Sequence, residues 1–203
     1  MTYERKDAHY RRAKAAGYRA RSAYKLIDLD DRHHLLRKGD RVIDLGAWPG
    51  GWCQVAAERV GPSGRVVGID LVAIAPLPAK NVQLLLGDVR DTGVAATRTA
   101  SAGGLADVVL SDLAPKLTGV RDVDEVRLTE AVSAVMAMLT SILKPGGRAL
   151  LKLFMSSAYA QQLASLRRLF RTVKTTRSEA SRRGSAELYV IAEGFGASST
   201  ACG

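Results

Sequence analysis

A short apolar segment that leads into a turn rich in glycine constrains this chain more than any other feature. Residues 42–45 contain β-branched and apolar side chains typical of a buried strand, and the turn at residues 46–52 reads GAWPGGW. A helix is predicted over residues 51–60, because Gly61-Pro62-Ser63-Gly64 would end it. Strand, glycine turn and helix together open an α/β domain that binds a nucleotide-type ligand. Since the turn reads GxxPGG, it differs from the GxGxxG fingerprint of dinucleotide-binding proteins.

Acidic residues stand at the ends of three further predicted strands. Asp70, Asp88 and Asp112 end or follow the strands predicted at residues 65–70, 82–86 and 106–110. In an open α/β sheet, ligands bind at the carboxyl ends of the strands. Asp70 lies about 20 residues after the glycine turn, where an acid binds the hydroxyls of a ribose. Asp88 is placed to bind the amino group of an adenine. Each acid has an alternative interpretation as a turn or capping residue.

The remaining pattern alternates helices with strands. Four helices are predicted: from Ser22, as the amino-terminal cap, to about Arg37, from Arg90 to Ala102, from Asp124 to Leu143, and along the apolar stripe Tyr159, Leu163, Leu166 and Phe170. Further strands are predicted from Arg148 to Phe154, around Val173 and from Ala186 to Ala192. This order predicts a doubly wound α/β sheet of seven mostly parallel strands, with one antiparallel strand near the edge and helices on both faces. We expect one domain over residues 1–195, including a basic amino-terminal extension to about residue 38, and a flexible tail at 196–203.

Lys152 is the most informative single residue, because it interrupts the apolar run at residues 149–154. A charged side chain in a central strand is costly unless it lines a site. Lys152 is therefore predicted to belong to a functional site on this residue alone. The other charged candidates need further support before a structural role is excluded.

Positive charge is concentrated in two parts of the chain. The net charge is +10; residues 1–41 hold twelve Lys or Arg against six acids, and residues 167–183 hold seven against one. Such patches are the footprint of a polyanionic partner. The cations of the first patch that we predict to contact RNA are Arg11, Arg12, Lys14, Arg19 and Arg21. Interleaved tyrosines favour base stacking as well. The alternatives are a merely basic surface and a poorly ordered amino terminus.

Several classes of protein are disfavoured by composition. The first residues are charged, so no signal peptide is expected, and the longest apolar stretch, residues 131–143, is too short to span a membrane. Two cysteines make neither a disulfide framework nor a metal site. We expect a cytoplasmic protein without a metal, and a monomer by default.

Four motifs in order resemble the FtsJ (RrmJ) family of S-adenosylmethionine-dependent ribose 2′-O-methyltransferases. The motifs are DLGAWPGGW at residues 44–52, LSDLAP at 110–115, LKLF at 151–154 and SAELY at 185–189, and GYRARSAYKL at 17–26 is similar to the family's opening helix. The resemblance covers about residues 5–195. It implies a Rossmann-like methyltransferase fold and S-adenosylmethionine as cofactor. The short form, without an added RNA-binding domain, resembles the bacterial branch that methylates a uridine of 23S ribosomal RNA.

The resemblance also assigns roles to residues by motif position. It places the family's Lys-Asp-Lys-Glu catalytic tetrad on Lys25, Asp112, Lys152 and Glu187. It places cofactor contacts on Asp44, Gly46, Gly50, Trp52, Asp70, Asp88 and Asp112. Trp48 departs from the family pattern, which commonly has a small residue there, and its ring either alters the methionine end of the pocket or fills a gap.

Two questions stay open from the sequence. Lys152 is expected to act as general base for the 2′-hydroxyl, with a neighbouring Lys25 lowering its pKa, but a charged Lys152 that stabilises the alkoxide is the alternative. The function is expected to be uridine 2′-O-methylation within the large ribosomal subunit. Alternatives are another RNA substrate, a small-molecule or protein methyltransferase, and an RNA-binding ribosome assembly factor with little or no activity. A nicotinamide-dependent oxidoreductase is disfavoured by the GxxPGG turn.

Overall fold

The computed structural model describes residues 13–90, 104–115, 118–181 and 187–196, and its strands form one seven-stranded sheet. The strands are β1 (Arg41–Leu45), β2 (Arg65–Asp70), β3 (Val82–Leu86), β4 (Ala106–Ser111), β5 (Leu143–Phe154), β6 (Phe170–Thr176) and β7 (Glu187–Phe195). They lie in the order β3-β2-β1-β4-β5-β7-β6. Strands β1 to β5 pair in parallel, whereas β7 is antiparallel to both β5 and β6. The predicted α/β fold class is confirmed.

Helices cover both faces of the sheet, as predicted. They are α1 (Ala23–His33), α2 (Gly51–Val60), α3 (Arg121–Ile142) and α4 (Tyr159–Leu169). Helices α1 and α2 pack in one apolar cluster with Val66, Val108 and Leu150, while α3 and α4 pack in a second cluster on the other face. Most of the helix predicted between β3 and β4 lies outside the described residues. In the described part of the chain, no helix is long and apolar enough to cross a membrane.

Helix α1 ends at His33, so the prediction that it continues to Arg37 was wrong. His34 adopts the left-handed conformation with φ of 51°, and its N–H donates to the carbonyl of Asp30. The Asp30 carboxylate then accepts from the N–H of Leu36 at 2.8 Å. The chain therefore turns here while Leu35 and Leu36 stay buried. Periodicity alone could not find this end, because the buried leucines continue the apolar pattern.

The last three strands have bounds that differ from those predicted. Phe170 continues the apolar stripe of α4 but is the first residue of β6, where its ring packs 5.4 Å from the ring of Phe195. Strand β7 continues to Phe195 rather than ending at Ala192, since it pairs with strands on both sides. Strand β5 also starts earlier than predicted, at Leu143. The predicted tail lies outside the described residues from position 197 onwards.

The sheet order places a ligand crevice between β1 and β4. The chain winds from β1 to β2 and β3 on one side, and then returns to add β4 on the other side of β1. Such a switch in strand order opens a crevice at the carboxyl ends of the two strands. The glycine turn follows β1 and Asp112 follows β4. The residues predicted to form a site therefore meet at this crevice.

Candidate active site

The glycine turn is shaped by the two glycines predicted to contact a cofactor. Gly46 has φ of 82° and Gly50, at the amino-terminal cap of α2, has φ of 107°. A side chain is disfavoured at both positions by the backbone. At Gly46 there is also no room, since a Cβ would lie 2.6 Å from Leu113 Cγ. The turn thus brings main chain, rather than side chains, to the crevice.

Asp44 lies under this turn and is fully buried. Its Oδ2 accepts a hydrogen bond from the Cys53 thiol at 3.3 Å, while its Oδ1 has no hydrogen-bond partner among the described residues. Burial raises the pKa of the Asp44 carboxyl to about 7; the Cys53 thiol lowers it, and the negative charges of Asp112 and Asp70 raise it. Three carboxyl groups are therefore close to one another at the crevice, and the Asp44 carboxyl is the buried one.

Asp70 ends β2 and organises the main chain around it. Its Oδ2 accepts from the N–H of Trp48 and its Oδ1 from the N–H of Val72, both at 2.8 Å. Each carboxylate oxygen retains a second lone pair, so these bonds do not prevent Asp70 from binding ribose hydroxyls. The Trp48 ring is 56% exposed, so it does not fill a gap in the core.

The other two predicted cofactor residues have partners within the protein. The Arg90 side chain donates to both oxygens of Asp88, and this bonding holds the pKa of the Asp88 carboxyl below its usual value. The Trp52 side chain is buried, and its Nε1 donates to the carbonyl of Ser22 at 2.8 Å. Trp52 thus joins α2 to the start of α1, and in this structure its side chain is part of the core.

The four residues of the predicted tetrad are brought together as two ion pairs. Lys152 Nζ lies 2.9 Å from Asp112 Oδ1 and donates to the main-chain oxygen of Asp112 at 2.6 Å. Lys25 Nζ lies 2.7 Å from Glu187 Oε2. Both lysines are buried, with 6% and 7% of their surface exposed. Each cation is therefore oriented by its own acid in a site with little solvent, where electrostatic interactions are strong.

Strand geometry explains why residues so distant in sequence meet. Lys152 pairs with Tyr189 across the antiparallel β5 and β7, and Phe154 pairs with Glu187. Because side chains alternate along a strand, Lys152, Tyr189 and Glu187 share one face of the sheet. Helix α1 covers that face and supplies Lys25.

Tyr189 is a member of this cluster that was not predicted. It is fully buried, and its hydroxyl donates to Asp112 Oδ1 at 2.9 Å, the oxygen that also pairs with Lys152. Lys25 Nζ lies 5.7 Å from the centre of its ring. Burial, with the negative charges of Asp112 and Glu187, raises the pKa of Tyr189 far above its usual value, so it remains a donor. Tyr189 therefore contacts both ion pairs.

Exposed apolar residues were also missed at the same edge of the sheet. Leu71 and Val72 directly follow Asp70, and Leu86 ends β3; they are 65%, 52% and 69% exposed. With the exposed ring of Trp48, they surround the carboxyl ends of β1 to β3. The sequence signal for these exposed residues was an apolar residue directly after a strand-ending acid, because such a side chain lies beyond the strand and cannot enter the core.

The predicted RNA-contacting cations have different environments. Lys14 is exposed, whereas Arg19 and Arg21 are half-buried, and the side chain of Arg19 donates to main-chain carbonyls. Arg11 and Arg12 lie outside the described residues. The only exposed cation of this set in the described part of the chain is therefore Lys14.

The second basic stretch is divided by the sheet. Thr176, at the end of β6, pairs with Tyr189 of the tetrad cluster, whereas Phe170, at the start of β6, pairs with Phe195 at the far end of β7. The start of β6 therefore lies at the end of the sheet that is opposite to the tetrad. The strand is roughly 20 Å long at about 3.3 Å per residue. The arginines at 167, 168 and 171 therefore lie far from the tetrad, while Arg177 lies on its side.

A family model and curated relatives match most of this chain. The family model for FtsJ-like methyltransferases matches residues 18–195. A protein of Methanothermobacter thermautotrophicus named ribosomal RNA large subunit methyltransferase E is 42% identical over 191 residues, spanning 94% of this chain and 90% of the relative. A protein of the same name from Bradyrhizobium diazoefficiens is 45% identical over 192 residues, spanning 93% and 83%.

Solved structures show the same fold. The crystal structure of a Plasmodium falciparum protein described as a ribosomal RNA methyltransferase superposes with a TM-score of 0.78 at 27% identity, covering 88% of this chain and 98% of that chain. Fibrillarin of Aeropyrum pernix, solved with natively bound S-adenosyl-L-methionine, has a TM-score of 0.59 at 18% identity, covering 86% and 75%. The second likeness concerns the fold alone.

Proposed function

This chain belongs to the FtsJ-like methyltransferase family, and we propose that it transfers a methyl group from S-adenosylmethionine to the ribose 2′-hydroxyl of a uridine in 23S ribosomal RNA. The observation that carries the proposal is the pair of buried lysine–acid contacts, Lys152 with Asp112 and Lys25 with Glu187, beside the switch-point crevice. The names of the relatives support ribosomal RNA as substrate. Uridine and the 2′-oxygen are our inference from the family resemblance.

The residues of the crevice fit the proposed cofactor. S-adenosylmethionine would supply a methyl group on a positively charged sulfur, together with an ammonium group, a ribose and an adenine. Asp44, Asp70 and Asp112 place negative charge at the crevice, and Asp44 Oδ1 has no hydrogen-bond partner among the described residues. Asp70 retains lone pairs for ribose hydroxyls. The exposed Leu71 and Val72 next to it offer an apolar surface for a purine.

Methyl transfer to a hydroxyl needs the oxygen aligned with the carbon–sulfur bond, and it needs removal of a proton. The new bond joins the 2′-oxygen to the methyl carbon, while the carbon–sulfur bond breaks and its electrons stay on sulfur. We propose that Lys152, having first lost a proton, accepts the hydroxyl proton. Asp112 and Tyr189 hold the Lys152 amine in place, and Lys25 with Glu187 orients the ribose.

A second role for Lys152 makes a different prediction about pH. A charged Lys152 would stabilise the developing alkoxide without accepting a proton. If Lys152 is the base, the single-turnover rate rises with pH through the ionisation of the lysine and then levels. A rate that does not change with pH over that range would contradict the base role and leave the stabilising one.

The test of the proposed function is transfer of labelled methyl to large ribosomal subunits that lack the modification. Alkaline hydrolysis cleaves next to free 2′-hydroxyls only, so a labelled, alkali-resistant dinucleotide identifies 2′-O-methylation and its first base. Lys152→Ala should abolish the label, whereas Lys144→Ala, an exposed lysine at the amino-terminal end of β5, should not. Comparing free RNA with assembled subunits shows which is the substrate.

Other outcomes distinguish the alternatives. Label released as a mononucleotide would place the methyl on a base and overturn the proposed role of Lys152. Binding of RNA without label would favour a ribosome assembly factor. Label on another RNA would change the substrate but keep the chemistry. The cytoplasmic location and the monomeric state stay predictions. Gel filtration measures the oligomeric state.

A further inference from the structure

The half-buried side chain of Arg19 donates hydrogen bonds to three main-chain carbonyls of its own chain. Its Nη1 donates to the carbonyl of Ala75 at 2.5 Å and to that of Pro49 at 3.4 Å, and its Nη2 donates to the carbonyl of Pro76 at 2.6 Å. Pro49 belongs to the glycine turn, whereas Ala75 and Pro76 belong to the segment between β2 and β3. One guanidinium therefore joins the two loops that flank the proposed cofactor site.

The main chain around Arg19 is held firmly against α2. The Gln54 side chain accepts from the N–H of Arg19 at 2.9 Å and donates to the carbonyl of Gly17 at 3.0 Å. Ala20 packs against Gly51, where an added Cβ would lie 3.2 Å from the Ala20 Cβ. These contacts fix the position from which the Arg19 side chain extends. From this position the guanidinium reaches the carbonyls of both loops.

The segment joined by Arg19 carries residues of the cofactor site. It begins directly after Asp70 and includes the exposed Leu71 and Val72, and its Ile74 packs beside Arg19 over Gly50. A loop of this length without helix or strand owes its position to a few contacts. Hydrogen bonds from a charged donor to carbonyls contribute more than neutral ones. Loss of Arg19 should therefore free this segment from its position beside the proposed cofactor site.

We propose that Arg19 is a positioning residue for cofactor binding, which holds the segment of residues 71–80 against the glycine turn. This inference rests on the proposed use of S-adenosylmethionine. It replaces the expectation that Arg19 contacts RNA phosphates. The forked contact with two successive carbonyls also explains the residue type, because a lysine amine has one nitrogen and cannot reach both in the same way.

The test measures the affinity for S-adenosylmethionine without RNA, by calorimetry on the full chain. Arg19→Ala should weaken binding roughly tenfold, equivalent to about 1.4 kcal/mol, and Arg19→Lys should recover part of the loss. Gln54→Ala removes the contact that anchors Arg19 and should weaken binding in the same direction. Lys14 is an exposed cation five residues before Arg19 in the chain. Lys14→Ala is therefore the matched control and should bind S-adenosylmethionine normally.

Two further measurements separate positioning from a general loss of structure and from RNA contact. Amide hydrogen exchange should accelerate at residues 71–80 in Arg19→Ala, while exchange in β1 and β4 stays unchanged. If Arg19→Ala instead binds the cofactor normally but binds RNA with a flatter salt dependence, Arg19 is a phosphate contact and the inference is overturned. Failure of the unmodified protein to bind S-adenosylmethionine would overturn the proposed function, whereas the exchange experiment tests the loop contact without cofactor.

Discussion

Replacing Asp44 by asparagine should remove a pH dependence from the stability of this protein. Folding raises the pKa of the Asp44 carboxyl from 3.8 to about 7, chiefly through burial. The native state therefore binds more protons than the unfolded chain between these values, and the free energy of unfolding falls as pH rises through this window. An asparagine of the same shape has no charge to bury. Its advantage over Asp44 should grow with pH and level off above about pH 7.

The magnitude follows from the size of the shift. About three pH units separate the two pKa values, and each unit corresponds to about 1.4 kcal/mol, so the full effect is about 4 kcal/mol. Roughly a third of it arises below about pH 5, which leaves about 3 kcal/mol between about pH 5 and about pH 8. This is an upper limit, since water and side chains rearrange around a buried charge. For a domain of this size it corresponds to roughly 5–10 °C in Tm.

The assay compares thermal unfolding of Asp44→Asn and the unmodified protein in the same buffers from about pH 5 to about pH 8. Groups that titrate elsewhere cancel in the difference, because both proteins share them. Cys53→Ala perturbs the same carboxyl in the opposite direction. The Cys53 thiol donates to Asp44 and lowers its pKa, so its removal should steepen the pH dependence. A difference in Tm that stays constant from low to high pH would refute the argument that a buried, partly unsatisfied carboxylate destabilises the native state.

Two further predictions concern the residues around Asp44. Tyr189→Phe removes the hydroxyl that donates to Asp112; loss of a hydrogen bond to a charged group should slow single-turnover methyl transfer at saturating cofactor roughly tenfold or more, and an unaltered rate would show that Tyr189 does not position Asp112. Gly46→Ala should lower Tm more than Gly119→Ala. Both glycines have positive φ, but only at Gly46 would the Cβ collide with Leu113, whereas at Gly119 no atom lies within 4 Å. Equal losses of stability in the two variants would mean that Leu113 moves aside.

Part of the candidate site could be predicted because its residues carried a local signal, whereas Lys25 and Glu187 were assigned only by the family resemblance. Glycines and a proline after an apolar strand indicated the turn, and acids at strand ends indicated the ligand-binding edge. Lys152 interrupted an apolar strand, and the structure pairs it with Asp112. The order of strands and helices was sufficient for the α/β fold class, because alternating elements favour a parallel sheet with helices on both faces.

Other features depended on contacts between distant segments. Phe170 continues a helical stripe but starts an edge strand, because its ring packs on Phe195 in the neighbouring strand. The basic stretch that starts at residue 167 looks continuous in sequence, yet β6 separates Arg167 from Arg177 along the length of the strand. Neither the start of β6 at Phe170 nor the separation of the basic residues could be read from local composition. The same side-chain pattern is compatible with a longer helix and with an unbroken basic patch.

The sequence by itself determined the class of fold, the glycine turn and the residue types available for chemistry, because these follow from local periodicity and from backbone preferences. Only the tertiary structure decided how polar groups are paired. Tyr189 donates to Asp112, which lies 77 residues away in the chain, and Arg19 reaches carbonyls 56 and 57 residues away. Hydrogen bonds and ion pairs require groups within about 3 Å. Such proximity is created by the packing of strands and loops, and therefore it was the folded chain that brought Tyr189 to Asp112 and joined Arg19 to two loops distant in sequence.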